Sequence, residues 1–291
     1  MERKNNAERV CLRNDGQRDF RCPKCGHTEY FDVVSRNLYP CKACKYQASV
    51  TAGTIMDKTR TPLRKWFLAM YYMSEDKRGI SALSLKNKIG VAYQTAWTMG
   101  QKIRQAMSTR EERNKLSGIV ELDEAFFGSP ADGGKRGRGT DKTAVFVSVA
   151  LTEGGKPGFI KMKVVEPDDG EAVNGKTVAK YAEQSIQKGS EIHTDGLNIY
   201  PCLIENGYTL VQKKYDPEQE PEHLHWTHII ISNAKALIGG TFHGLDRMHL
   251  QRYLNEFSYR FNRRWFKSGV FPRLLIACAS SSKVTYNELI G

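Results

Sequence analysis

The chain has 291 residues, of which 40% are hydrophobic and 26% are charged. This composition is typical of an ordinary globular protein with room for two or three domains. No apolar run approaches the roughly 20 residues that a membrane-spanning helix needs, and the opening MERKNNAERV lacks the apolar segment of a secretory signal. These features argue against a membrane or secreted protein and predict a cytoplasmic location.

The net charge of +12 comes entirely from the first part of the chain. Residues 1–116 contain 23 lysines and arginines against 11 acidic residues, whereas residues 117–291 contain 21 of each. A concentrated positive charge attracts a polyanion and releases its counterions on binding. The N-terminal part is therefore a candidate for binding nucleic acid, although a basic face that only aids solubility has the same charge.

Four of the seven cysteines form the pattern CPKC followed, after fifteen residues, by CKAC. Two such knuckles bring four thiolates to the corners of a tetrahedron, which is the geometry of a structural zinc site. The alternative of two disulfides is disfavoured by the reducing state of the cytoplasm. We therefore predict a zinc ribbon over residues 1–52, with a hairpin between the knuckles and Zn²⁺ bound by Cys22, Cys25, Cys41 and Cys44.

A helical region is predicted over residues 53–115. The segment 59–73 has Pro62 at a first helical turn and apolar residues at helical spacing. Two further helices follow within residues 79–107, joined by a turn at Gly90, which is the helix-turn-helix pattern. Many helical hairpins touch no DNA, so the basic surroundings are what favour that function here. The candidate DNA contacts at the leading end of the recognition helix are Tyr93, Gln94 and Thr95.

After residue 115 the pattern changes to alternating strands and helices. Three strands, with the Gly-rich basic loop GGKRGRGTDK after the first, are followed by helix, strand, helix, strand and helix. This order predicts an α/β fold over residues 116–285, a ribonuclease-H-like mixed sheet flanked by helices. The zinc ribbon and the helix-turn-helix segment precede it.

Two aspartates lie in strands of this domain. Asp123 is in the middle of IVELDEAFF, where a carboxylate is costly unless it meets a cation, and Asp195 ends the strand EIHTD. The two strands are neighbours in the inferred sheet, so the carboxylates converge. Convergent oxygen ligands suit Mg²⁺ or Mn²⁺, and two such ions about 4 Å apart can activate both reacting oxygens of a phosphodiester. For either aspartate alone, a surface turn or a salt bridge is the simpler explanation.

These motifs together resemble the transposases of bacterial insertion sequences, in the group that joins a zinc ribbon to a DDE-type catalytic domain of the ISXO-like kind. The matching segments occur in the family's order: CPKC…CKAC, GISALSLKNKIGVAYQTAW, LDEAFFG with the following KRGRG, HTDG…Y, SNAK…GTFHG and HLQRYLNEFSYRFNRR. The resemblance implies cleavage of DNA at the inverted-repeat ends of an element, then attack of the freed 3′-hydroxyl on target DNA. It also implies an oligomer that holds two ends. Asp123 and Asp195 match the first two catalytic acids.

The third catalytic position departs from a strict three-acid pattern. Relatives with a glutamate have it seven residues before a lysine, which here gives His228 before Lys235, while other branches have an asparagine, matched by Asn233. If one helix spans 228–235, His228 and Lys235 share a face and Asn233 points nearly opposite Lys235. The β-branched residues 229–231 favour a strand instead, and a strand would remove this argument.

Other polar residues near this position are secondary candidates. Glu222 lies upstream in a Pro-rich loop and ranks below the two ligands above. The histidines at 223, 225 and 228 invite a separate zinc site, but local hydrogen bonds are the simpler explanation, because no cysteine completes a tetrahedron. By the resemblance, phosphates of DNA are held by Lys235, Arg136, Arg138, Arg260, Arg263 and Arg264.

Two other classes of function fit parts of the sequence. A DNA-binding regulator, or an inactive remnant of a transposase, fits the missing third acid, and a DNA nuclease of the same fold fits the aspartates. Fold alone does not separate these functions. The transposase hypothesis is preferred because it explains motifs along nearly the whole chain.

Overall fold

The computed structural model describes residues 20–31, 38–128, 142–166, 173–214, 223–243, 245–266 and 269–291. The chain divides into two compact units. The N-terminal unit comprises residues 1–110 and 265–291, and the sheet unit comprises residues 111–264. Within the described ranges, no helix is both long and apolar enough to cross a lipid bilayer.

The N-terminal unit begins with a small ribbon around the cysteines. Strands β1 (Leu38–Pro40) and β2 (Gln47–Ser49) pair antiparallel, and an isolated bridge joins Tyr30 to Cys41. The hairpin predicted between the knuckles falls partly in residues 32–37, outside the described residues, and β1 pairs across the second knuckle. Among the described residues of the ribbon, one small buried cluster contains Phe20, Cys22, Cys41 and Ala48.

Three helices follow the ribbon, namely α1 (Leu63–Glu75), α2 (Ala82–Ile89) and α3 (Tyr93–Glu111). The Ser81 side chain caps α2 by accepting a backbone hydrogen bond, and Gly90 ends α2 in the left-handed conformation with φ of 63°. The helix-turn-helix segment predicted from the sequence is therefore present. The apolar residues that join its helices to the core are buried: Leu85, Ile89, Ala96, Ile103 and Met107.

Two C-terminal helices, α8 (Val270–Ser280) and α9 (Tyr286–Ile290), also belong to the N-terminal unit. Helix α8 packs on α1, where the ring centroids of Tyr71 and Phe271 lie 5.7 Å apart. The sequence placed a domain boundary at residue 285. In the structure the chain from residue 265 groups with α1, because α8 packs there.

The sheet unit contains five strands in the order β5-β4-β3-β6-β7. Strands β3, β4 and β5 are antiparallel, whereas β6 pairs parallel with β3, and β7 parallel with β6. Three antiparallel strands followed by two parallel ones form the ribonuclease-H-like mixed sheet that was predicted. The strands are β3 (Ile119–Phe127), β4 (Thr143–Leu151), β5 (Pro157–Val164), β6 (Glu191–Thr194) and β7 (Thr209–Gln212).

Helices cover both faces of this sheet. They are α4 (Gly175–Ser185), the short α5 (Cys202–Glu205), α6 (His225–Thr241) and, after a 3₁₀ turn, α7 (Leu250–Phe261). Leu122 of β3 packs in a cluster with Tyr181 of α4, whereas Ala125 packs in a cluster with Ile230 of α6. Since side chains alternate along a strand, the odd-numbered residues of β3 face α6.

Helix α6 runs without interruption through the three consecutive isoleucines at 229–231. The strand considered for these residues is wrong. Ile230 and Ile231 are 1% and 8% exposed, and they pack in the cluster that includes Val147 of β4. Burial of these side chains outweighs the modest strand preference of β-branched residues.

Candidate active site and zinc site

Asp123 and Asp195 lie on neighbouring parallel strands. The register pairs Glu121 of β3 with His193 of β6, so two residues further along each chain stand Asp123 and Asp195. Adjacent strands are about 4.8 Å apart, and paired residues point to the same face. Strand β6 ends at Thr194, which makes Asp195 the first residue beyond it. Continued by two residues, this register puts Asp123 and Asp195 next to each other at one end of the parallel pair, with Asp123 on the α6 side.

Both carboxylate oxygens of Asp123 have a neighbour. Oδ1 accepts a hydrogen bond from the backbone N–H of Glu124 at 2.8 Å, and Oδ2 lies 3.5 Å from Nε2 of His228. The hydrogen bond to Asp123 is the main cause that raises the pKa of His228, while burial opposes the shift and the charges of Asp123, Glu121 and Asp195 add to it. An imidazole drawn towards protonation marks a concentration of negative charge, which is what a bound cation needs.

The course of α6 separates the two candidates for the third position. His228 faces Asp123, as the 3.5 Å contact requires. Asn233 is exposed, and being five residues further along one helix it lies about 140° round the axis from His228. Of the two side chains, His228 is therefore the one that contacts Asp123.

Lys235 lies two turns beyond His228, about 20° from it round the helix. Its Nζ is 5.8 Å from the ring centroid of Phe127 of β3. Partial burial and then the charge of Lys142 lower the pKa of Lys235, while Asp123 opposes this shift. The ammonium group thus lies on the same face of α6 as His228, within electrostatic reach of Asp123.

The donor set of this site fits a hard divalent cation. Mg²⁺ prefers carboxylate oxygens and keeps several waters, and Mn²⁺ also accepts an imidazole nitrogen. In the part of the chain that the structure describes, Asp123, Asp195 and His228 do not form a closed group with all donor atoms within 4.8 Å.

The sequence reasoning missed a contact on the other face of the sheet, directly behind Asp123, between Glu124 and Tyr200. Glu124 faces the α4 side of the sheet, where its Oε2 accepts a 2.7 Å hydrogen bond from the Tyr200 hydroxyl. Tyr200 is fully buried, and its pKa is raised by that burial and then by the charge of Glu124, with smaller effects of Asp123 and Asp195. The sequence signal for this contact was the alternation of side chains along the strand. In ELDE, Glu124 directly follows Asp123 and therefore faces the opposite side of the sheet.

The three nearby histidines have three different neighbours. Nε2 of His223 lies 3.0 Å from the carbonyl oxygen of Thr194, His225 packs against the ring of Trp226, and His228 contacts Asp123. Among the described residues they form no metal-binding group, so local contacts explain them. Glu222, the lower-ranked alternative acid, lies outside the described residues.

The four cysteines form a metal site in the N-terminal unit. Their sulfur atoms all lie within 4.8 Å of one another. The Cys22–Cys44 and Cys25–Cys41 sulfur pairs are each 3.6 Å apart. A tetrahedron with Zn–S bonds of about 2.3 Å has edges of about 3.8 Å, whereas a disulfide bond is about 2.05 Å long. The geometry fits Zn²⁺, as predicted, and excludes disulfides.

The leading end of α3 carries the three candidate DNA contacts Tyr93, Gln94 and Thr95. Tyr93 is 51% exposed, and Gln94 is also exposed. Nε2 of Gln94 donates a 2.7 Å hydrogen bond to the hydroxyl of Tyr286 in α9, whose ring also contacts Trp97. The C-terminal helix therefore supports the side chain most suited to contacting a base.

The three arginines near the end of α7 have protein partners. Arg263 forms an ion pair with Glu111, and Arg260 lies 3.5 Å from Glu256 with its own side chain only 10% exposed. Arg264 donates to the carbonyl oxygens of residues 157 and 158. This geometry favours a structural role for these side chains over the predicted phosphate contacts. The other two predicted arginines, Arg136 and Arg138, lie outside the described residues.

The chain thus combines a ribonuclease-H-like sheet, whose neighbouring strands lead to two aspartates, with a four-cysteine ribbon, and each part matches a known family. Residues 115–262 match the family described as ISXO2-like transposase domain, and residues 8–47 match the transposase zinc-ribbon domain. The first match covers half of the chain. This chain belongs to the ISXO2-like transposase domain family.

One curated relative is an uncharacterized protein in transposable element ISH50 of Halobacterium salinarum, 28% identical over 203 residues. The match covers 64% of this chain and 65% of the relative's length. Two solved structures are also similar. One is the simian T-cell lymphotropic virus intasome in complex with PP2A regulatory subunit B56 gamma, at 10% identity and a TM-score of 0.31, covering 60% of this chain and 63% of that chain. The other is the Mos1 mariner paired end complex with Mn, at 12% identity and a TM-score of 0.25. That match covers 78% of this chain and 82% of the Mos1 chain.

Proposed function

We propose that the protein is a transposase that binds the inverted-repeat ends of an insertion sequence and catalyses metal-dependent DNA cleavage and strand transfer. The observation that carries the proposal is the parallel pairing of Glu121 in β3 with His193 in β6, each two residues before an aspartate, Asp123 and Asp195. Membership of the ISXO2-like transposase domain family supports it. Neither aspartate alone would favour an enzyme over a structural salt bridge.

Asp123, Asp195 and His228 are the residues that would hold Mg²⁺ or Mn²⁺. When bound, such a cation activates the attacking oxygen and stabilises the leaving oxygen of a phosphodiester. The chain's own part is to fix the ligands: the Glu124 N–H orients the carboxylate of Asp123, and α6 holds the imidazole beside it. Lys235, on the same face of α6, offers its ammonium group to a phosphate oxygen of the DNA end.

We assign the third catalytic position to His228 rather than Asn233. The assignment is supported by the 3.5 Å contact between His228 and Asp123 and by the single helix that turns Asn233 away. An imidazole nitrogen is a better ligand for Mn²⁺ than for Mg²⁺. We therefore expect Mn²⁺ to support higher activity than Mg²⁺ at equal concentration.

The roles of the two parts of the chain follow the distribution of its charge. The zinc ribbon and the helix-turn-helix segment, which lie in the basic part, recognise the element ends, with Tyr93, Gln94 and Thr95 facing the DNA. The ribonuclease-H-like domain from residue 116 cuts and joins. The domain that we propose ends near residue 264, because the chain beyond it groups with α1. Two ends must be held together for joining, so we expect an oligomer on DNA.

The test is a strand-transfer assay with labelled duplexes that carry the inverted repeats flanking the gene, a plasmid target, and Mg²⁺, Mn²⁺ or EDTA. We expect metal-dependent cleavage at the repeat end and a product joined to the plasmid. Cleavage directed by DNA shape without a joined product would indicate a nuclease. Specific end binding with neither reaction would indicate a regulator or an inactive remnant and would overturn the proposal.

A further inference from the structure

We infer that Glu121 is a positioning residue that anchors the first turn of α6 to β3 and so holds His228 beside Asp123. The inference rests on the proposed function, because the position of His228 matters to catalysis only if that site binds metal. Glu121 itself precedes Asp123 by two residues and faces the same side of the sheet.

Helix α6 begins without a cap of its own. Its N-cap residue, Leu224, has a left-handed backbone with φ of 55° and makes no side-chain hydrogen bond to the helix. The first backbone N–H groups of a helix have no partner within it, and a leucine side chain cannot accept a hydrogen bond from them. The start of α6 therefore depends on acceptors from other parts of the fold.

Glu121 supplies such an acceptor from the central strand. Its Oε2 accepts hydrogen bonds from the backbone N–H of Thr227 at 2.7 Å and from the Thr227 hydroxyl at 2.9 Å. Thr227 is the third residue of α6, the position whose N–H an N-cap side chain usually binds. The positive end of the helix dipole also favours a carboxylate there. Glu121 and Thr227 are 3% and 0% exposed, so these bonds are shielded from water.

A second contact is made by His223, two residues before the first residue of the helix. Nε2 of the buried His223 lies 3.0 Å from the carbonyl oxygen of Thr194. A carbonyl only accepts, so this ring nitrogen carries the proton. Thr194 directly precedes Asp195, just as Glu121 lies two residues before Asp123. The start of α6 is thus tied to β3 two residues before Asp123 and to β6 one residue before Asp195.

The position of His228 follows from these ties. His228 is the next residue after Thr227, so fixing the Thr227 backbone fixes the Cα from which the imidazole reaches Asp123. A shift of about 1 Å in a catalytic group can reduce a rate about a hundredfold. The buried hydrogen bond from Thr227 to Glu121 therefore keeps Asp123 of β3 and His228 of α6 in a fixed geometry.

The acceptor geometry separates positioning from direct participation. Both hydrogen bonds from Thr227 reach the same oxygen of Glu121, and the side-chain carbonyl of a glutamine can accept both. Glu121→Gln therefore keeps the anchor without the charge, whereas Glu121→Leu removes the acceptor. If Glu121 bound metal or moved a proton, glutamine would fail as badly as leucine.

The experiment measures three quantities on the full chain: amide hydrogen exchange of Thr227 and His228, Mn²⁺ binding by electron paramagnetic resonance, and cleavage of the DNA end. For Glu121→Leu we expect exchange at the two amides to rise about tenfold or more, because a buried donor is left unsatisfied. Mn²⁺ affinity should fall about tenfold and DNA binding should be unchanged. Glu121→Gln should stay within about threefold of the wild type in all three quantities.

The matched control is Glu256→Leu. Glu256 is another fully buried carboxylate of the sheet unit, but its partner is Arg260 on α7. We expect this variant to lower stability without changing exchange at Thr227 or Mn²⁺ binding. If Glu121→Leu does not fold, Thr227→Val tests the same anchor, since valine keeps the backbone N–H and loses only the hydroxyl bond.

The outcomes distinguish this inference from the proposed function. Loss of Mn²⁺ binding in Glu121→Gln with normal exchange in α6 would assign Glu121 a direct role and overturn positioning. Lower stability of Glu121→Leu with unchanged exchange and Mn²⁺ binding would also overturn it. If the wild type cleaves no DNA but Glu121→Leu still loosens α6 and weakens Mn²⁺ binding, the positioning role stands and the transposase proposal fails.

Discussion

Nε2 of His228 lies 3.5 Å from Oδ2 of Asp123, which joins helix α6 to the central strand of the sheet. The contact links residues 105 positions apart. The surrounding acids raise the pKa of the imidazole, chiefly through the hydrogen bond to Asp123, and we propose His228 as the third catalytic residue. Helix α6 contains no acidic residue, but its His228 side chain contacts Asp123.

Replacing His228 tests its assignment as the third ligand. We expect His228→Ala to reduce cleavage by about 10² to 10³, since a lost metal ligand costs several kcal/mol of transition-state stabilisation. Asn233→Ala, on the far side of the same helix, should stay within about threefold. His228→Glu supplies an oxygen ligand and should favour Mg²⁺ over Mn²⁺ relative to the wild type. Equal losses in the Ala variants of both positions would contradict the assignment.

Neutralising either aspartate separates catalysis from binding. We expect Asp123→Asn and Asp195→Asn each to lower cleavage and joining by about 10³ or more, with the affinity for a duplex carrying the element end unchanged. The measurements are a gel-based cleavage assay and a mobility shift in the presence of Ca²⁺. Glu191→Gln is the control, because Glu191 lies in β6 but pairs with His193. Cleavage retained in Asp123→Asn would remove the basis of the proposed active site.

The sequence was sufficient for the elements that have local signals. The cysteine spacing predicted the zinc cluster, and the apolar spacing with Gly90 predicted the helix-turn-helix segment. The order of strands and helices predicted the mixed sheet, and from it the neighbouring positions of the strands that carry Asp123 and Asp195. Each of these signals lies within a short stretch or follows from a topology rule.

The remainder depends on contacts that sequence spacing does not contain. The isoleucines at 229–231 suggest a strand, and only burial against the sheet decides for a helix. The bond of Glu121 to Thr227 and that of Gln94 to Tyr286 join residues 106 and 192 positions apart. The arginines at 260, 263 and 264, in the last turn of α7 and just after it, look like a phosphate-binding face until their carboxylate and carbonyl partners are known. Long-range polar pairs of this kind are set by the packed structure.

Removing zinc tests the ribbon. We expect one Zn²⁺ per chain by elemental analysis, and we expect Cys41→Ser or a strong chelator to release it and unfold the ribbon, because metal binding supplies the folding free energy of such small domains. Binding of the element end should weaken, while the circular dichroism of the remaining fold is largely kept. Cys202→Ser, a cysteine outside the cluster, should retain the metal. Unchanged DNA affinity after zinc loss would show that the ribbon does not contact the ends.

Removing one hydroxyl tests the support of the recognition helix. Tyr286→Phe deletes the acceptor for Gln94 while keeping the ring against Trp97. We expect affinity for the element end to fall about fivefold, the effect of one lost hydrogen bond, with a smaller effect on unrelated DNA. Tyr71→Phe, which removes the hydroxyl of a tyrosine in α1, is the control. Equal losses on cognate and unrelated duplexes would show that Gln94 does not read sequence.

Replacing Arg263 tests whether this arginine has a structural role or contacts a DNA phosphate. Its guanidinium pairs with Glu111, with side-chain exposures of 13% and 14%, and lies over the ring of Tyr259. Arg263→Ala leaves a poorly solvated carboxylate, so we expect the free energy of unfolding to fall by about 2 to 3 kcal/mol. The double variant with Glu111→Ala should recover part of that loss in a denaturation series. DNA affinity of the folded variant should match the wild type. Weaker DNA binding at unchanged stability would instead support the phosphate contact predicted from the sequence.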